Sequence, residues 1–285
     1  MIWALLSILA GLGDAFSFVM IKKLSSFDAY LTLLLRNLVA LPFILLAFFF
    51  YGFSIFSMNF YIIAFVVFVF FTAASFLMIK SIQMSGLSAT LPMLSFTPIF
   101  LLVASYIFLR EFPTFLGGVG IFLIVIGSYI VNISSVKYGY LEPFKSIFKD
   151  KGVFYMFIVA VLFSITASLG KIAINLSNPA YYTFIIYILV SFFLTILFYR
   201  KFKDTNTIKK NFVHIILLGF STAMMEIFGA VAVKYAIISY VISLKRSSVL
   251  FGVLLGFLLF KEKNFKEALI GSLIMFIGII LITIS

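Results

Sequence analysis

The chain has no cysteine. Disulfide staples, thiolate catalysis and cysteine-ligated metals are therefore excluded, and nothing is said about redox compartment. Histidine is almost as scarce: His214 stands alone near the expected start of a helix, with no H-E-x-x-H pattern around it. There is no nucleophile elbow and no P-loop, so ATP hydrolysis by this chain is excluded as a source of drive. EF-hand and zinc spacings are also missing, and neither an enzyme nor a cofactor is expected. Negative charge is short too, with nine Asp and Glu against 21 Lys and Arg, a net charge of +12.

What the chain has in abundance is apolar surface. Hydrophobic residues make up 64% of its 285 positions and charged residues only 11%. Mean hydropathy is +1.26. Soluble domains carry roughly 45–50% apolar and about 25% charged residues, and a core of this length has no room for so much Phe, Ile and Leu. Lipid is the solvent for most of this surface. The cations fall mainly in short loops between apolar runs, so they read as topology signals and headgroup contacts rather than as a nucleic-acid footprint.

Ten runs are long enough to span a bilayer: 2–21, 28–50, 60–82, 86–108, 114–133, 152–173, 179–199, 212–237, 239–260 and 265–284. Backbone in hydrocarbon satisfies its own hydrogen bonds, so the expectation is helix throughout; the alternating polarity of a transmembrane barrel is not seen. The first run lacks a basic leader region and carries Asp14 midway, so it reads as a retained span. Lysine and arginine concentrate after the odd-numbered spans (Lys22, Lys23, Lys80, Lys149, Arg200, Lys261 among them), whereas the loops after even spans hold Arg110 and little else. That bias predicts a cell-membrane protein with cytoplasmic odd loops and both termini outside.

The chain also repeats itself. Glu111, Gly120 and Gly127 in "REFPTFLGGVGIFLIVIG" recur as Glu262, Gly271 and Gly278 in "KEKNFKEALIGSLIMFIG", each 151 positions on. The same offset pairs Ser26 with Ser177, Tyr30 with Tyr181, Thr32 with Thr183 and Ser88 with Ser239. Two units follow, 1–135 and 152–285, joined by a charged loop at 136–151. Each unit holds five spans, an odd number, so the second is expected to enter the bilayer upside down. Such an inverted repeat suits exchange between outward-open and inward-open forms and points to transport.

With "SATLPMLSFTPIFLLVASYIFLREFPTFLGG" in one unit and "AVKYAIISYVISLKRSSVLFGVLLGFLLFKE" in the other, the chain resembles EamA-type members of the drug/metabolite transporter superfamily. The markers are a small-residue start to the fourth helix of each unit, a Glu at its end, and a glycine-punctuated fifth helix; Pro98 fills a proline position where the second unit has Val249. The resemblance implies an all-α carrier of ten transmembrane helices in two inverted five-helix repeats. Its cavity would be lined chiefly by helices 1, 3, 4, 6, 8 and 9. It also implies export of small organic solutes, amino acids, other metabolites and amphipathic compounds among them.

Ionisable side chains inside spans are costly and face an interior or a wet cavity by default. Asp14, Arg36, Glu226, Lys245 and Arg246 are the instances here. Helical rise places Glu226 about 18 Å and Arg246 about 12 Å from the turn joining spans 8 and 9, so a Glu226 pair with Lys245 or Arg246 is expected, and Asp14 lies at a similar depth. These four are candidate substrate-binding residues, set against a purely structural ion pair. Arg36, Lys171 and Lys234 are expected to snorkel toward interfaces. Ser75, Gln83, Ser95 and Thr97 are weaker candidates on spans 3 and 4, against simple bonding within their own helices. Glu111 and Glu262 are expected to fix the turns after span 4 and span 9. Pro98 is a candidate kink. Gly252 and Gly256 form a G-x-x-x-G for close packing inside the chain or in a homodimer, so monomer and homodimer both fit. Proton coupling through Glu226 or Asp14 and plain uniport fit equally well, and the reading from another class is a membrane-embedded scaffold or lipid-handling protein.

Overall fold

Segments that must satisfy their own backbone in hydrocarbon become helices, and every regular element among the described residues of this computed structural model is helical. The residues described are 2–47, 51–52, 56–85, 87–133, 149–198, 205–248, 251 and 265–285. The helices are α1 (Ile2–Lys23), α2 (Ala29–Leu46), α3 (Met58–Ser85), α4 (Leu87–Leu94), α5 (Thr97–Leu109), α6 (Phe115–Ile133), α7 (Lys151–Asn175), α8 (Pro179–Phe198), α9 (Thr205–Lys210), α10 (Phe212–Tyr235), α11 (Ile238–Lys245) and α12 (Phe265–Ile284). Six of them, α1, α2, α3, α7, α8 and α10, are long and apolar enough to cross a membrane. Phe65, Phe122, Phe192 and Phe276 are among the large apolar side chains left exposed on the outside, the surface that lipid covers.

The fourth expected span, 86–108, is two helices. α4 stops at Leu94, Ser95 and Phe96 form a turn, and α5 restarts at Thr97. Pro98 sits in the first turn of α5, where its missing N–H costs no helical bond. It therefore opens a helix where a kink was expected. Thr97 Oγ1 donates to Leu94 O at 2.6 Å across the break. The second half breaks at the matching place: α11 ends at Lys245, and Arg246 and Ser247 form the turn. The bounds of α4 and α11 correspond at the 151-residue offset residue for residue.

Local signals fix the ends. Asp28 caps α2 through the Tyr30 amide at 3.2 Å. Asp150 caps α7, accepting from the Gly152 and Val153 amides and from Ser85 Oγ at 2.5 Å. Partial burial alone would raise the Asp150 carboxyl, but these bonds outweigh it and hold it below the usual carboxylate range.

Packing respects the repeat. α1 lies against α10 as α3 lies against α7, and α1 meets α11 as α7 meets α4. Equivalent helices also meet one another and run antiparallel. Tyr30 at the start of α2 stacks on Phe198 at the end of α8, with ring centroids 4.3 Å apart. On α6 and α12, a Cβ on Gly120 would lie 2.8 Å from Gly278 O, and one on Gly127 would lie 2.5 Å from Gly271 O. Exchanging the halves turns one of these contacts into the other. Backbones this close leave no space for a side chain, so the glycines are required by packing. Gly120→Val should therefore cost about 1–3 kcal/mol of stability, read as a lowered melting temperature of the detergent-purified protein. An unchanged melting temperature would mean that α6 and α12 do not meet this way.

Candidate functional site

The site begins where α1 crosses the break of α11. Gly11 is what allows the approach, since a Cβ on it would lie 2.7 Å from Lys245 O; Gly13 in turn lets α1 press on α10, where a Cβ would lie 2.8 Å from Ser221 O. The next residue, Asp14, thereby reaches Arg246, with Oδ2 and Nη1 3.7 Å apart and both side chains buried. Lys245 is the last residue of α11, and Arg246 projects from the turn that follows it.

A second group sits opposite. Arg36 on α2 is 2% exposed and donates from Nε to Thr222 Oγ1 at 3.2 Å, while its Nη1 has no hydrogen-bond partner. Glu226 follows Thr222 by one helical turn on α10, so the two share a face. The Tyr187 hydroxyl on α8 is close enough to feel both Arg36 and Glu226 but makes no well-formed hydrogen bond. Tyr182, one turn earlier on α8, also lies within electrostatic range of Glu226.

The third group is a clamp. Lys171 on α7 pairs with Glu111 Oε1 at 2.5 Å and donates to Ala236 O at 2.7 Å. The other oxygen of Glu111 accepts from the Ile238 amide at 3.1 Å. One carboxylate following α5 thus ties the end of α7 to the turn between α10 and α11.

Between these groups lies a cavity of about 130 Å³. Asp14, Arg36, Lys171, Glu226, Lys245 and Arg246 supply its charge, and Phe18, Phe71, Phe163 and Tyr182 its aromatic wall. Ile174, Tyr182, Val233 and Ile238 line it as well, which carries it toward the end of the bundle where α7 turns into α8 and α10 into α11. The space suits a small solute with an apolar body and charged ends.

A profile of the EamA-like transporter family matches residues 1–133 and again 150–284. The chain belongs to the EamA-like transporter family. Among curated proteins, none matches it. A solved structure titled "Crystal structure of protein" shares its fold with a TM-score of 0.73 at 12% identity, covering 99% of this chain and 96% of the other.

For this EamA-like chain, five of the eight candidate substrate-binding residues line the cavity: Asp14, Thr97, Glu226, Lys245 and Arg246. The others lie elsewhere. Ser75 is buried on α3 with no partner for its hydroxyl and does not line the cavity. Gln83 donates to Phe27 O at 3.0 Å beside a separate hollow that contains Asp28 and Lys80. Ser95 is bonded to Leu91 O and to Ser128 Oγ at 2.5 Å.

Three expectations are corrected. Arg246 pairs with Asp14 and not with Glu226, because helical rise fixes depth but not direction around the helix axis; among the described residues neither Glu226 nor Lys245 has an ion partner within 4 Å. Arg36 does not snorkel: it lies on the face of α2 that packs against α10, 2% exposed and bonded to Thr222, because depth along a helix does not say which way a side chain faces. Lys171 is buried in the clamp, and Glu111, expected to hold a local turn, holds the start of α11 as well. Gly252, Gly256 and Glu262 lie outside the described residues. Tyr182 and Tyr187 were missed altogether. One signal was available, since Tyr187 stands 151 positions after Arg36 and equivalent residues of antiparallel helices meet where those helices cross.

Removing one partner of a buried pair leaves an uncompensated charge and costs about 3–5 kcal/mol. Glu111→Gln and Lys171→Met should each lower the melting temperature markedly, and the double variant should lose less than the two losses added together. Strict additivity in that double-mutant cycle would show that the two groups do not interact.

Proposed function

We propose that this chain is a secondary transporter that carries a small organic metabolite or amphipathic compound, amino acids included, by alternating access around the charged cavity. The observation that carries the proposal is the cavity itself, whose charged lining is drawn from α1, α2, α7, α10 and α11 and therefore from both halves of the chain. A scaffold or lipid-handling protein has no need of such an interior, so the cavity favours a carrier.

The architecture assigned to it is ten transmembrane helices in two inverted five-helix repeats, 1–135 and 152–285, with the broken α4–α5 as the fourth helix of the first. The antiparallel meeting of equivalent helices at Gly120–Gly278 and Gly127–Gly271 supports this. Units of opposite orientation exchange roles when the molecule passes from one open form to the other. The lysine and arginine bias favours both termini on the outer side of the cell membrane, which places the clamp of Lys171 and Glu111 at the outer end of the cavity. Opening that end separates Glu111, in the first repeat, from Lys171 and Ile238 in the second. Export is the direction the family resemblance favours. Proton coupling through Glu226 or Asp14 and plain uniport both fit this cavity.

The test is counterflow in proteoliposomes loaded in turn with amino acids, nucleosides and amphipathic cations. At least one should be exchanged, and Glu226→Gln should reduce that exchange about tenfold or more, which is about 1.4 kcal/mol in the exchange step, while inserting normally. Wild-type exchange by Glu226→Gln would remove that residue from the substrate path, and no exchange of any solute would contradict a carrier.

A further inference from the structure

The charges lining the cavity do not balance. Arg36, Lys171, Lys245 and Arg246 face Asp14 and Glu226. Lys171 is answered by Glu111 and Arg246 by Asp14. What remains among the described residues is Arg36 and Lys245 against the single carboxylate of Glu226, an excess of one positive charge. Arg36 is the most exacting of the three. It is 2% exposed, donates from Nε to the neutral hydroxyl of Thr222 with the neutral Tyr187 hydroxyl nearby, and has an Nη1 with no hydrogen-bond partner. A buried cation without a counter-ion costs several kcal/mol, and a guanidinium is best satisfied by a planar group that accepts two parallel N–H bonds.

We infer that the solute taken by this cavity carries a carboxylate and a net charge of minus one, with Arg36 as the receptor of the carboxylate and Lys245 as its second cation. This rests on the transport reading of the same cavity. The charge count selects the class. A monocarboxylate neutralises the excess, and so does an acidic amino acid whose ammonium group meets Glu226. A phosphomonoester dianion would overshoot by one charge, and an organic cation would add to the surplus. The aromatic wall of Phe18, Phe71 and Phe163 takes the apolar remainder of the molecule.

Four matched probes separate these classes on the purified protein: butyrate, butyramide, butylamine and inorganic phosphate, each read as a shift in melting temperature over a concentration series. Butyrate should stabilise, and the other three should not. Arg36→Lys keeps the charge but loses the fork, and should weaken butyrate binding about tenfold or more. Arg36→Gln should abolish it; should that variant fail to fold, Arg36→Lys and Lys245→Gln carry the test. Glu226→Gln should tighten butyrate binding even as it slows exchange, because it removes the one carboxylate set against Arg36 and Lys245; a Glu226 with no influence on the cavity would leave binding unchanged. Equal stabilisation by butyramide, stronger stabilisation by phosphate, wild-type butyrate binding by Arg36→Lys, or no effect of butyrate at all would each overturn the assignment. Counterflow keeps the two proposals apart. Exchange of a nucleoside or amine without butyrate binding leaves the carrier standing and removes the carboxylate. Butyrate binding at Arg36 with no solute exchanged does the reverse.

Discussion

Charge in hydrocarbon must be answered, and the interior of this chain is arranged around that constraint. A lysine or arginine at the centre of a lipid-facing helix costs about 2.5–3.5 kcal/mol even on the most lenient scale. Arg36, Lys171, Lys245 and Arg246 turned to lipid would cost on the order of 10 kcal/mol together, comparable with the whole stability of a typical domain, about 5–15 kcal/mol. All four instead line one cavity, together with Asp14 and Glu226. Everything that brings them there is small: Gly11 lets α1 touch the α11 break and Gly13 lets it press on α10, and at the break Arg246 follows Lys245 at once.

The frame is repeated but the chemistry is not. α4 and α11 end at equivalent residues, and a turn follows each. In the first half that turn holds Ser95, closed off by its bond to Ser128. In the second it holds Arg246, facing the cavity and Asp14. Likewise Glu226 answers to Ser75 and Arg36 to Tyr187 at the 151-residue offset. The two matching breaks thus carry different side chains, and the charged lining draws Asp14 and Arg36 from the first half and Glu226, Lys245 and Arg246 from the second.

How far this was legible in the sequence depends on what kind of information a residue carries. Helix existence follows from apolar run length, and the ends of α1, α3, α6, α8 and α12 fall within three residues of the runs that predict them. The repeat was legible because Glu, Gly, Ser and Tyr matches are rare in a background of Phe, Ile and Leu. Membership of the cavity was legible for Asp14, Glu226, Lys245 and Arg246 because charge at mid-depth has nowhere else to go. The pairing was not, since depth along a helix says nothing about which neighbour lies on which side. Arg36 was misjudged because depth along α2 does not show that its face packs against α10, where Thr222 holds it, and Gln83 and Ser95 because a backbone carbonyl or a neighbouring hydroxyl satisfies a neutral polar group without any cavity.

The absence of native cysteine makes the central claim directly accessible. Thr97 lines the cavity at the α4–α5 break, so a Thr97→Cys protein can be exposed to a membrane-impermeant thiol reagent in right-side-out and in inside-out vesicles. A hydrated cavity reached alternately from the two faces predicts labelling in both preparations, with a transported solute shifting the balance between them. Labelling in neither preparation would mean a dry interior and would contradict the carrier; labelling from one face alone, unmoved by any solute, would contradict alternating access.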